Sequence, residues 1–416
     1  MSELKPTLTT LRGTGLMLNI VVGAGLLALP GLTVAVAGDQ ALWAWLVCAL
    51  TAIPLLLVFV ILGGRYPDAG GIAHFVRLAF GEAGYIAASL IFLGAVVFGL
   101  PAIALTAGHY IAAITGGAPA QIAAGIVVLA ALTLTSSPDM AARLSTVIAS
   151  TILVLLLAII CVGLGGVDWA ATTTSIAPPG DISPSIILAP FMMIFFAFTG
   201  WEVAAGLSEE FRNPKRDFPR AMLLSFAIAT SLYLAMAFLA QTAADASSHE
   251  AVFVEILGAR FGAVGGVVVA TVAALVITAN LMGAIWAVSR MVFVLGREGH
   301  LFIRLKLNAG GTPVSSVALT ALAILLVLLA DSLNLLNIEA MLPIAGQNFF
   351  ILYGLARIAL FKQTGRRGER AVATLAILVV IGLLIAEGPV SLLYPFGLAL
   401  VGIVGWSVRG RTRPGH

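Results

Sequence analysis

The stretch FAFTGWE, Phe196 to Glu202, lies inside one of the most apolar parts of this chain, after PSIILAPFMMIF and just before the charged SEEFRNPKRDFPRA. A Thr-Gly pair followed by a carboxylic acid is out of place in hydrocarbon, where a lone Glu costs roughly 3 kcal/mol or more unless paired, protonated or turned to water. Hydrocarbon is nonetheless where the run belongs. The chain has 416 residues, 60% hydrophobic and only 10% charged, with a mean hydropathy of +1.09. A soluble domain carries roughly 25% charged residues, and apolar runs of about 18 residues, enough to cross a bilayer as a helix, recur along the whole chain. The composition predicts an all-α polytopic membrane protein.

Breaks between apolar runs give twelve predicted spans, near 13–37, 42–63, 84–113, 119–136, 143–165, 185–207, 219–241, 262–290, 314–331, 338–360, 371–387 and 389–407. With the N-terminus inside, 21 of the 22 Lys and Arg residues fall on the cytoplasmic side and only Arg260 outside. That asymmetry is the positive-inside pattern, and one span more or fewer would scramble it. Both termini are therefore expected in the cytoplasm. Lys5, Arg12, an apolar core and AVAG at 35–38 imitate a signal peptide. The core is too long for one, so an uncleaved first helix is expected. Two connections, GIAHFVRLAF (71–80) and SHEAVFVEILG (248–258), have helical spacing of apolar residues and are read as surface helices.

The net charge of +3 reflects these loop charges and gives no sign of nucleic acid. Cys48 and Cys161 both lie in apolar runs and read as small core residues, with neither a disulfide framework nor metal-ligand spacing. Taking the spans literally, Glu202 is the one acid clearly inside hydrocarbon, and no Lys or Arg sits deep in any span. The clustered His, Asp or Glu of membrane hydrolases is missing, which argues against an enzyme and against metal or other cofactors. His109 reads as a rim residue.

What remains is backbone chemistry. Span one reads GTGLMLNIVVGAGLLALP, with Gly23, Ala24 and Gly25 near its centre and Pro30 beyond. Glycine removes the steric bias toward helix and proline deletes a donor, so the pair favours an interrupted helix. An opened helix exposes amides at the start of its second half, suited to a carboxylate, and carbonyls at the end of its first, suited to an ammonium. Such groups are tolerated only facing protein or a watery cavity. Close packing of helices through Gly15, Gly23 and Gly25 explains the same residues. Gly200 lies at comparable depth in span six, about 175 residues later. Paired interrupted helices in corresponding positions point to a transporter site.

These residues resemble the amino acid–polyamine–organocation superfamily. VVGAGLLALP looks like its broken first span, and FFAFTGWEVAAGLSEEFRNPKRDFPRA (195–221) its sixth span and following loop. SRMVFVLGREGHLF and GTPVSSVALTA are similar to the end of its span eight and the start of span nine. YPDAGGIAHFVRLAFG (66–81) looks most like bacterial exporters of L-methionine and branched-chain amino acids. The resemblance covers about residues 12–360 and implies a LeuT-like 5+5 inverted repeat, with repeats near 12–165 and 185–360, two extra helices at 371–407, and helices one and six interrupted.

It also implies residue roles. The Gly23–Gly25 break would hold substrate, with the Ala24 and Gly25 amides on its carboxylate. The carbonyls of Val21, Phe196 and Thr199 would take its ammonium, beside the opening at Gly200. Phe196 matches an occluding aromatic and Glu202 an acid implicated in proton sensing. Span five departs from some proton-coupled relatives in having no lysine.

The absence of a second buried acid or a buried base argues against charged substrate side chains. The expectation is a secondary carrier in the bacterial inner membrane, exporting methionine, leucine, isoleucine and valine in exchange for protons through Glu202. Capping of freed amides, or pairing with a loop arginine, is the structural alternative for that residue. An importer or exchanger of the same fold, coupled to protons or to sodium with Thr278 and Asn280 as oxygen ligands, is the second reading. A non-transporting amino acid sensor is the third.

Overall fold

The computed structural model describes residues 8–22, 25–67, 71–136, 154–167, 176–243, 249–297, 314–388 and 392–412. Among these residues the secondary structure is helical, apart from an isolated bridge between Leu8 and Phe211. In chain order the helices are α1 (Thr10–Val21), α2 (Gly25–Ala37), α3 (Ala41–Arg65), α4 (Gly71–Thr115), α5 (Pro119–Ser136) and α6 (Val154–Leu164). There follow α7 (Pro184–Leu188), α8 (Phe191–Ala197), α9 (Trp201–Ala204) and α10 (Pro214–Gln241). The chain closes with α11 (Val252–Arg297), α12 (Val314–Ser332), α13 (Ile338–Gln363), α14 (Arg367–Glu387) and α15 (Leu393–Thr412).

Each of the twelve predicted spans contains a described helix. Seven stretches are long and apolar enough to cross a membrane, and the shorter apolar helices include α5, α6 and the α8–α9 segment. Large apolar side chains face outward on these helices, Leu129, Val264, Leu275, Leu378 and Leu400 among them. Such a patch is disastrous in water and natural against lipid.

The two connections read as surface helices are helical over 71–80 and 252–258, and each is the opening section of a long helix. α4 departs from helical geometry at Gly81 (φ 68, ψ −162), and α11 does the same at Gly262 (φ 64, ψ −162). This backbone region is essentially reserved for glycine. Both bends carry the same local sequence, Phe-Gly-x-x-Gly, at Phe80–Gly84 and Phe261–Gly265.

Helix α4 is the centre of the bundle, packing on α5, α11, α12, α13 and α15. α13 in turn lies against α8 and α14, while α10 holds α1 and α3. Segments that the charge pattern assigned to one side do meet at one end. The Leu8 amide donates to the Glu210 carbonyl at 3.0 Å, and the Arg212 amide to the Leu8 carbonyl at 3.1 Å. Arg65 pairs with Glu369 at 2.8 Å. Lys362 and Gln363 donate to the carbonyls of Ala79 and Leu78 at 3.3 and 3.2 Å. At the opposite end, Trp43 donates to the Ala177 carbonyl at 2.9 Å and Gln241 to that of Gly38 at 2.9 Å. The first group is called the basic end below.

The cysteines differ from expectation in one respect. Cys48 is buried, but Cys161 is exposed, because its side of α6 faces outward.

Candidate functional site

Both predicted interruptions lie beside each other. α1 stops at Val21, and Val22 (φ −77, ψ 83) leaves the helix while its amide still closes on the Leu18 carbonyl at 2.8 Å. The chain is helical again from Gly25. Gly23 and Ala24, two of the expected substrate contacts, fall outside the described residues. In span six, α8 ends at Ala197, and Gly200 takes φ 102 before α9 begins at Trp201. Only glycine adopts that angle at little cost. A side chain at Gly200 would stand 3.4 Å from both the Ile20 carbonyl oxygen and the Val21 Cα, so the two breaks touch at this glycine.

The carbonyls freed by the breaks already have partners. Tyr233, buried on α10, donates its hydroxyl to the Val21 carbonyl at 3.0 Å. The Phe196 carbonyl accepts from the Thr199 hydroxyl at 2.7 Å and from the Thr199 amide at 3.2 Å. On α4, Tyr110 donates to the Leu27 carbonyl at 3.0 Å and fixes the first turn of α2. A carbonyl has two lone pairs, so the Val21 carbonyl keeps a site for a further donor beside the Tyr233 bond, whereas the two bonds from Thr199 fill the Phe196 carbonyl. Phe196 is half-buried with its ring 6.3 Å from that of Phe349 on α13, and it presses on α4 at Gly99.

Glu202 occupies the first turn of α9 and is 4% exposed. Its Oε2 accepts from the Gly200 amide at 2.8 Å and from the Tyr353 hydroxyl at 2.5 Å. The first bond caps the restarted helix with an acid at its positive end, a favourable placement. The second ties span six to span ten, with the Tyr353 hydroxyl also 3.4 Å from the Phe198 carbonyl. The capping reading of Glu202 is thus realised, whereas no Arg pairs with it among the described residues.

Around this bond the aromatics interlock. Tyr353 packs edge-on against Phe59 at 4.8 Å and Phe195 at 5.5 Å. Phe198 packs edge-on against Tyr233 at 5.1 Å. Arg357 is the feature that the sequence reading passed over. Counted only among the cytoplasmic-side charges at the end of span ten, it is a buried cation of α13 with 0% exposure, so a deep basic residue is present after all. Thr278 and Asn280 sit half-buried on α11. The Thr278 hydroxyl donates to the Ala274 carbonyl one turn back at 2.7 Å, the usual habit of a helical threonine.

Two touching helix breaks, a capped acid and interlocking aromatics thus meet inside the bundle. The family model for amino acid permeases matches residues 8–404. The chain belongs to the amino acid permease family. The permease is 31% identical over 415 residues to the amino acid permease YecA of Bacillus subtilis, covering 98% of this chain and 97% of that one. It is 36% identical over 236 residues to the L-methionine/branched-chain amino acid exporter YjeH of Escherichia coli, 56% of each chain. The inner membrane transport protein YbaT of Escherichia coli is 26% identical over 405 residues. As a permease its substrate class is amino acids, carried by transport and not by an enzymatic reaction.

The sequence reading missed Tyr110, Tyr233 and Tyr353, whose hydroxyls satisfy the carbonyls and the acid at the breaks. Their only signal was a polar tip within apolar runs, which marks lipid-interface tyrosines equally well.

Proposed function

We propose that this permease exports neutral apolar L-amino acids, namely methionine, leucine, isoleucine and valine, in exchange for protons. In this reading it sits in a bacterial inner membrane with both termini and the basic end in the cytoplasm. The 12–165 and 185–360 segments act as inverted repeats, and the matching glycine bends at Gly81 and Gly262 support that division. The substrate carboxylate faces the amide ends of the breaks, including Gly25. Its ammonium faces the carbonyls of Val21 and Thr199, and that of Phe196 once the Thr199 hydroxyl turns away from it.

The observation that carries the coupling is the position of Glu202. It is the one carboxylic acid buried among the described residues, and it bonds the sixth-span break to Tyr353. A carboxyl enclosed in this way exchanges its proton only when one side of the protein opens, which is what alternating access requires. The apolar lining, Phe196 and Phe349 in particular, favours an uncharged substrate side chain. The likeness to the YjeH exporter supports the substrate and the direction.

The test is efflux. Cells loaded with a methionine-containing dipeptide should release methionine faster when they carry the permease. Equal release with and without the protein would reject methionine export.

A further inference from the structure

We propose that Arg357 is a second, state-dependent partner of Glu202, taking up the carboxylate when the basic end opens and Tyr353 lets go. The proposal rests on the permease alternating between states, and needs neither the substrate nor the direction given above.

Arg357 is wholly enclosed, and among the described residues no acceptor reaches its Nε, Nη1 or Nη2. Its guanidinium carbon instead lies 5.0 Å from the ring centre of Tyr353 and 5.7 Å from that of Phe59. Ring faces compensate a cation only in part. A buried charge without a hydrogen-bonding partner is strongly unfavourable, and a guanidinium is shaped for a carboxylate.

The complementary charge shares Tyr353 with it. Glu202 is the buried acid, and the Tyr353 phenol stands between the two, donating to one and stacking on the other. Tyr353 and Arg357 are four residues apart on α13 and so share a face, Arg357 lying one turn nearer the basic end. Sliding α9 along α13 toward that end breaks the Tyr353 bond, leaves the acid short of a donor and carries it the one turn toward Arg357. At the same moment Arg357 still lacks an acceptor. Pairing the two removes both costs. One acid thus meets two donors on one helix, Tyr353 in the closed state and Arg357 in the open one. Arg357 is a positioning residue here, without contact to substrate.

The test reads conformation directly. Ser208 is fully enclosed in the turn after α9, and S208C in a C48A/C161S background should react with a permeant maleimide only when the basic end opens. R357M is expected to slow alkylation about tenfold, with R357K restoring most of the rate. E202Q keeps an acceptor for Tyr353 but loses the ion pair, so it should slow alkylation similarly. The double variant should be no slower than either single one, since both remove one interaction. R357M should leave the melting temperature of the closed protein unchanged or raised, because an apolar residue fits that ring-lined site better than an unpaired cation. Unchanged or faster alkylation, additive single effects, or a lowered melting temperature in R357M would overturn the proposal. Unchanged alkylation with a raised KM for methionine counterflow would assign Arg357 to the substrate carboxylate instead.

Discussion

Glu202 gathers two donors on one carboxylate oxygen, the Gly200 amide and the Tyr353 hydroxyl. The amide bond belongs to α9 and moves with it. The tyrosine bond crosses to α13, so it is the one that reports closure. A hydrogen bond to a charged group contributes about 1.5–3 kcal/mol. Tyr353→Phe should therefore raise the population open at the basic end by about tenfold or more, read as faster alkylation of S208C. At this scale the sequence was half informative. Glu202 and Gly200 stood out because an acid and a Thr-Gly pair contradict an apolar helix. Tyr353 did not, because a tyrosine among Phe and Leu contradicts nothing. The burial of Arg357 was not legible because it lies only five residues before Lys362, and distance from a charged loop says nothing about which way a helix faces.

Helix interruptions and bends are where glycine chemistry becomes element geometry. Gly200 combines a left-handed φ of 102 with close contact to Ile20 and Val21. Gly200→Ala should cost about 1–3 kcal/mol from backbone strain alone, and should abolish counterflow by pushing the two breaks apart. Gly81 and Gly262 test strain without crowding, since among the described residues no atom beyond their own chain neighbours lies within 4 Å of where their Cβ would stand. Gly81→Ala and Gly262→Ala should each cost a similar amount, about 1–3 kcal/mol, measurable as matched losses in thermal stability. Unequal losses would show that the two bends do not play equivalent parts. The breaks in spans one and six were legible from Gly and Pro placement. The bends were not, because a Phe-Gly step inside a helical run resembles ordinary small-residue packing.

Across the whole molecule, contacts between distant segments are present at both ends among the described residues. The basic end is held by the Glu202–Tyr353 bond, by the Leu8 pairing with Glu210 and Arg212, and by Arg65 with Glu369. At the other end Gly31 backs onto the His249 carbonyl, and Gly346 of α13 backs onto the Met192 carbonyl of α8. Gly346→Val should wedge α13 from α8 and eliminate counterflow, while leaving the protein in the membrane. The helical, membrane-spanning character and the grouping of basic connections at one end were legible because hydropathy and loop charge are summed over many residues. The pairing of distant segments was not, since no local pattern says that Leu8 lies beside Phe211.

The central claim is that Glu202 exchanges protons for substrate. In proteoliposomes loaded with L-methionine, an external medium more acidic than the lumen should accelerate methionine efflux by the wild-type permease. Glu202→Gln should still exchange methionine, at a rate indifferent to the pH gradient. Equal acceleration in Glu202→Gln, or no response of the wild type to the gradient, would contradict the account.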